Sequence, residues 1–225
     1  MDAQEILIKF GGRDADSHTV DMRLLGRSMQ GFDRIISDGI ILLSENRIPK
    51  HGERAILRVQ VKEPVAGSYS IIGLIQDNAG LLPLGWQLLT DSSGSIVWNW
   101  VSFVLEYFSG RKDSAEKHLE AMLEMNLDSL AARDRADERW LAHDAQWREK
   151  VFGLVEKLAG AAGQAVAPIG PSVRNVEFSA GKSAILEIDE PMADAIRSRG
   201  ELSVGDLQTM ILKTEGVRDH TRSLF

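Results

Sequence analysis

Residues 21–44 read DMRLLGRSMQGFDRIISDGIILLS, and their spacing decides the fold. Met22, Leu25, Met29, Phe32, Ile36, Ile40 and Leu43 recur every three or four positions. That is one apolar stripe along a long helix. Gly26, Gly31 and Gly39 weaken the helix by propensity, and they also admit a second backbone at close range. Ile48-Pro49 ends the element.

Upstream, Glu5–Phe10 (EILIKF) reads as a strand closed by Gly11-Gly12, and Arg13–His18 as a polar loop. Downstream, Leu57, Val59 and Val61 alternate with Arg58, Gln60 and Lys62, the period of a half-buried strand. Pro64 and Gly67 mark a turn, and Ser68–Ile75 returns as the partner strand. Residues 5–75 therefore read strand, helix, strand, strand.

Leu81–Phe108 is the apolar centre, split by Pro83, Gly85 and the Asp91–Ser95 cluster. From Ile96 to Phe108, Asn99, Ser102 and Glu106 share one narrow polar face. The rest of that helix is apolar almost all round, so it is buried in this chain or in a partner. Residues 111–150 turn densely charged in both signs, with Leu119, Met122, Leu123, Leu127 and Leu130 keeping a helical stripe. A second long helix carries Trp140, Trp147, Val151, Leu154, Leu158 and Ala161, thins at Gly160–Gly163, and is stopped by Pro168-Ile169-Gly170-Pro171. Val173–Phe178 and Ala184–Ile188 read as strands, Met192–Arg197 as a short helix, and Leu207–Leu212 as a last strand.

The expected class is α+β: an N-terminal strand–long helix–β-hairpin unit, a central helical region and a small C-terminal sheet. Two domains are expected, 1–110 and 111–225, with the boundary near Arg111–Asp113. The sequence stops at Ser223-Leu224-Phe225 in what reads as mid-element. The expectation is a longer parent protein, or an edge completed by a partner.

Composition narrows the function. In 225 residues, Lys+Arg number 26 and Asp+Glu 33, a net charge of −7, and Cys is absent. Zero Cys removes disulfides, thiolate nucleophiles and Cys-ligated metal, and fits a reducing compartment. The acidic balance argues against sequence-independent nucleic-acid binding. The start, MDAQE, lacks the basic and apolar regions of a signal peptide. No stretch reaches the roughly eighteen apolar residues of a membrane span. A cytoplasmic protein without nucleic-acid, membrane or cofactor partners is expected.

Gly181-Lys182-Ser183 resembles the tail of a phosphate loop, but Val176 stands where the first Gly is needed and a strand follows. Ser28, in Gly26-Arg27-Ser28-Met29-Gln30-Gly31, lies within a helix stripe rather than at a strand-to-helix elbow. Asp14, Asp16 and His18 alternate along one loop and form the best metal-like set, although capping and turn formation require the same residue types. His51, His118, His143 and His220 show no metal-ligand spacing. The aromatic group Trp86, Trp98, Trp100, Phe103, Tyr107 and Phe108 is either core or an interaction surface.

Gly11-Gly12, Asp16-x-His18, Leu25-x-x-Ser28-x-x-Gly31, Gly67-Ser68-Tyr69 and Pro168-Ile169-Gly170 occur in that order. This set resembles an uncharacterised bacterial protein family whose members add a small β-rich C-terminal domain. The resemblance brings no catalytic residues. It implies that Gly11, Gly12, His18, Ser28, Gly67 and Ser68 are shared as readily for fold as for function.

The expected function is a non-catalytic interaction or assembly module. It would be a homo-oligomeric accessory or regulatory subunit of a bacterial multi-protein system, with phage defence as one such setting. Its partner is expected to be a second copy or another subunit, met through the aromatic group. Two alternatives stand beside it: a metal-dependent hydrolase using Asp14, Asp16 and His18, and a membrane-perturbing effector using residues 81–108.

Overall fold

The computed structural model describes residues 4–50, 52–53, 58–61, 69–76, 96–131, 139–180, 184–200, 217–218 and 223–224. Their order is β1 (Gln4–Gly11), a 3-10 turn (Arg13–Ser17), α1 (Met22–Glu45), β2 (Arg58–Val61), β3 (Tyr69–Gln76) and α2 (Ile96–Ser109). There follow α3 (Lys112–Ala131), α4 (Arg139–Lys157), α5 (Ala159–Ala165), β4 (Asn175–Ala180), β5 (Leu186–Ile188) and α6 (Glu190–Gly200). Two short strands, β6 (Val217–Arg218) and β7 (Ser223–Leu224), pair with each other. The chain is α+β, as its patterning indicates, with strand, long helix and hairpin in the expected order. The last strand expected from the sequence, Leu207–Leu212, lies outside the described residues.

One five-stranded antiparallel sheet, in the order β2-β3-β1-β4-β5, organises the molecule. The C-terminal strands expected to form a small sheet instead extend the N-terminal one. Ile8 of β1 stands between Ile71 of β3 and Phe178 of β4. The sheet thus crosses the boundary expected near Arg111–Asp113, and a single buried cluster runs from Ile6 to Ile196.

Alternation sets the buried face. Ile6, Ile8 and Phe10 of β1, Val176, Phe178 and Ala180 of β4, and Leu186 and Ile188 of β5 are all buried. The opposite face carries a Lys9–Glu177 ion pair at 3.1 Å and a hydrogen bond from Asn175 to Glu187 at 2.7 Å. The helix α1 lies on the apolar face, where Phe32 stacks on Phe178 with ring centroids 5.7 Å apart.

The helix α2 is the buried axis: all of its residues except Trp98, Tyr107 and Ser109 are buried. Trp100 sits against Gly39 of α1 and donates its indole N–H to the carbonyl of Ile35 at 2.8 Å. Of the two readings of the aromatic group, core or interaction surface, Trp100, Phe103 and Phe108 fit the core, each being at most 5% exposed. Trp98 and Tyr107 are half-buried against the same core, and Trp86 lies outside the described residues. Among the described residues, no helix is long and apolar enough to cross a membrane. Most of the segment proposed as membrane-active, residues 81–95, also lies outside the description.

The thin helix α5 lies against α1. The backbone at Ala161 and Ala165 comes so close to Gly31 that a β-carbon there would collide with it. Beside it, the buried hydroxyl of Ser28 donates to the Ala165 carbonyl at 2.6 Å. Both residues belong to the ordered set read in the sequence, and both serve this helix crossing. Because backbone cannot give way as a side chain can, Gly31→Ala is expected to lower stability in urea unfolding by about 1–3 kcal/mol. Gly26, with open space around it, is the control, and Gly26→Ala should gain about 0.5–1 kcal/mol. Equal effects at the two glycines would contradict this packing.

Candidate binding cleft

The site proposed for a metal dissolves into turn chemistry. Asp14 accepts from the Ser172 hydroxyl at 2.7 Å, and that same oxygen accepts from the Asp21 backbone N–H at 3.0 Å. Asp21 in turn caps α1 by accepting from the Leu24 N–H at 2.9 Å. Asp16 accepts from the Gly12 N–H at 3.1 Å, across a backbone held at φ 74° in Gly12. His18 closes the turn in the left-handed region, with its backbone N–H on the Ala15 carbonyl. These side chains clamp the start of α1 to the loop before β4. Among the described residues, no three His, Asp or Glu side chains are placed to hold a metal.

A second polar constellation is buried between α2 and α3. The imidazole of His118 lies 3.0 Å from the Asn99 side-chain oxygen through Nδ1 and 3.3 Å from Glu106 Oε2 through Nε2. Trp98 meets its ring edge-on at 4.8 Å. Both ring nitrogens lie beside oxygens of Asn99 and Glu106, while the buried Ser102 hydroxyl has no partner among the described residues. The arrangement is that of a helix–helix lock rather than a nucleophile with its base.

The third constellation is open to solvent. A cleft of about 490 Å³ lies between α1, the segment after it, and the junction of α4 with α5. Asp33, Arg34, Ser37 and Asp38 of α1 form one wall, on the side of the helix turned away from the sheet. Lys50 and Glu53 form the second wall, and Leu154, Lys157 and Gln164 the third. Local chemistry fixes the second wall. Arg47 grips Glu53 with two hydrogen bonds of 2.6 and 2.8 Å and also bonds Glu45 at 2.7 Å. Glu53 further accepts the Lys50 N–H at 2.8 Å, and Ile48 is anchored against the core. Lys150 binds the Asn46 carbonyl at 2.8 Å, which holds the end of α1 to α4.

The carboxylates of this cleft differ sharply. The Arg47 guanidinium, then the Lys50 N–H, hold Glu53 down to about 2, so it stays anionic at any ordinary pH. Asp38 moves the other way. Burial pushes its carboxyl above the usual range and Asp33 and Glu53 add to the shift, against the pull of Arg34. The Arg34 Nε lies 3.6 Å from the Asp38 carboxylate and is itself half exposed, so the pair is loose. Sequence reading missed this site because its residues come from three separate segments. The only local trace was a run of polar residues on the outer side of the α1 stripe.

Glu106 provides a check on the buried lock. Burial raises its pKa, but His118 and Ser114 beside it, with Arg111 further off, lower it more, so the net shift is downward from 4.5. A depressed folded pKa adds stability that is complete above 4.5 and is lost as pH falls through the folded value. Glu106→Gln should therefore flatten the acid limb of a Tm-against-pH curve below pH 4.5. An unchanged acid limb would show that the Glu106–His118 contact carries no charge-dependent stability.

No curated protein and no solved structure matches the chain. A family model described as a domain of unknown function, DUF7946, matches residues 6–197. That span includes the sheet from β1 to β5, the buried α2 axis and all three walls of the cleft. The chain belongs to this family, DUF7946, a domain of unknown function.

Proposed function

We propose that this protein is a non-catalytic interaction module and that it recognises its target through the charged cleft beside α1. The observation that carries this reading is the cleft itself. It is about 490 Å³ in volume, the size of a small-molecule site, with both signs of charge on walls fixed by hydrogen bonds. Its groups suit recognition better than proton transfer. Glu53 is held at about 2, too acidic to serve as a base near neutral pH. Asp38 lies beside a permanent cation, Arg34.

A binding module of this kind suits an accessory or regulatory subunit, in which occupancy of the cleft is passed to a second copy or to another protein. The proposal keeps the expected setting: a cytoplasmic protein of a bacterial system, with phage defence as one example, and, as the family resemblance implies, a further β-rich domain.

Binding without turnover is directly testable. A small-molecule extract should raise the Tm of the wild-type protein and not of an Asp38→Asn/Lys157→Glu variant, with no component consumed on mass spectrometry. Asp38-dependent consumption of a component, or no shift at all, would overturn the reading. Asp38→Asn alone should raise the Tm of the empty protein by about 1–3 °C. The sign follows because a raised folded pKa makes the ionised form costly as pH rises through the window above 3.8. Light scattering over a concentration series tests assembly. A stable oligomer supports the homo-oligomeric form of the proposal, and a monomer at high concentration removes it.

A further inference from the structure

We infer that the cleft binds a small zwitterion, a molecule of the α-amino-acid kind that carries a cationic and an anionic group close together. This inference rests on the reading of the cleft as a recognition site. Its argument is the distribution of charge that remains after the internal pairs are removed. Glu53 is already matched by Arg47 and the Lys50 backbone, so it supports the wall rather than the occupant. Asp33 and Asp38 then remain on one wall, beside Arg34 of the same helix, with Lys50 and Lys157 on the other two.

The Lys157 ammonium and the Asp33 carboxylate have no ion pair or side-chain hydrogen bond among the described residues, and the Lys50 ammonium acts on Glu53 only beyond ion-pair distance. Asp38 has only the loose contact with Arg34 at 3.6 Å. A pure cation would gain the two aspartates but meet the lysines, and a pure anion the reverse. A zwitterion satisfies both walls at once, with its ammonium toward Asp38 and its carboxylate toward Lys157. Leu154 of the third wall is the apolar residue beside Lys157, and it is itself buried in the core. Like-charge contact is what excludes the other two ligand classes.

The test uses the full chain and three sets of probes in thermal-shift and calorimetric titrations. The first set is the free α-amino acids, the second is putrescine as a dication, and the third is succinate as a dianion. The expected result is saturable binding of at least one amino acid. Asp38→Asn and Lys157→Glu should each weaken that binding about tenfold or more. Putrescine and succinate should bind less well than that amino acid. Both variants alter side chains at the cleft surface, and unchanged circular dichroism confirms that they fold.

Binding of putrescine or succinate in preference to every amino acid, if sensitive to these variants, overturns the zwitterion and leaves the recognition site standing. Amino-acid binding that neither variant weakens places the ligand elsewhere and overturns the inference. Absence of binding by all three sets overturns it too; the recognition site itself then falls only if the extract experiment is also negative.

Discussion

The seat of Trp100 on Gly39 is the constraint from which the rest of the helical layer follows. The indole fills the space that a β-carbon would occupy and donates its N–H to the Ile35 carbonyl, one turn earlier on α1. An indole N–H buried without a partner is costly, so this bond fixes depth and register together. It pins the long surface helix to the buried one. With Phe32 stacked on Phe178, α1 is held at two points, one on the sheet and one on α2. Its rotation about its own axis is thereby set. That rotation turns Asp33, Arg34 and Asp38 outward into the cleft, and turns Gly31 toward α5.

The two charged constellations differ in environment. Glu106 and His118 face each other between two helices, and the neighbours of Glu106 favour its ionised form. The two side chains are turned to each other, 3.3 Å apart. Asp38 is a largely buried residue lining the cleft, and burial disfavours its ionised form more than Arg34 favours it. A carboxylate held at a cost to the fold, on the wall of an open cleft, is where a ligand can recover free energy.

Much of the fold could be read from residue spacing. The α1 stripe, the strand Glu5–Phe10 closed by Gly11-Gly12 and the narrow polar face Asn99–Ser102–Glu106 on α2 each correspond to one structural feature. The pairing of β4 with β1 could not be read, because register between strands so far apart leaves no mark on local spacing. The aromatic group stayed ambiguous because a core and an interface draw on the same residues; only burial separates Trp100 and Phe103 from a docking patch. The Asp14–His18 loop misled for a related reason, since the residues that bind metals also cap helices. The cleft was illegible because Asp38, Lys50 and Lys157 meet only once the helices have packed.

The central claim is that this cleft is where the protein meets its ligand. Amide chemical-shift mapping during titration with free amino acids tests it most directly. The account predicts that the shifted amides cluster in residues 30–38, 50–53 and 154–164. Shifts centred on residues 99–118, or spread without focus over the sheet, would contradict it.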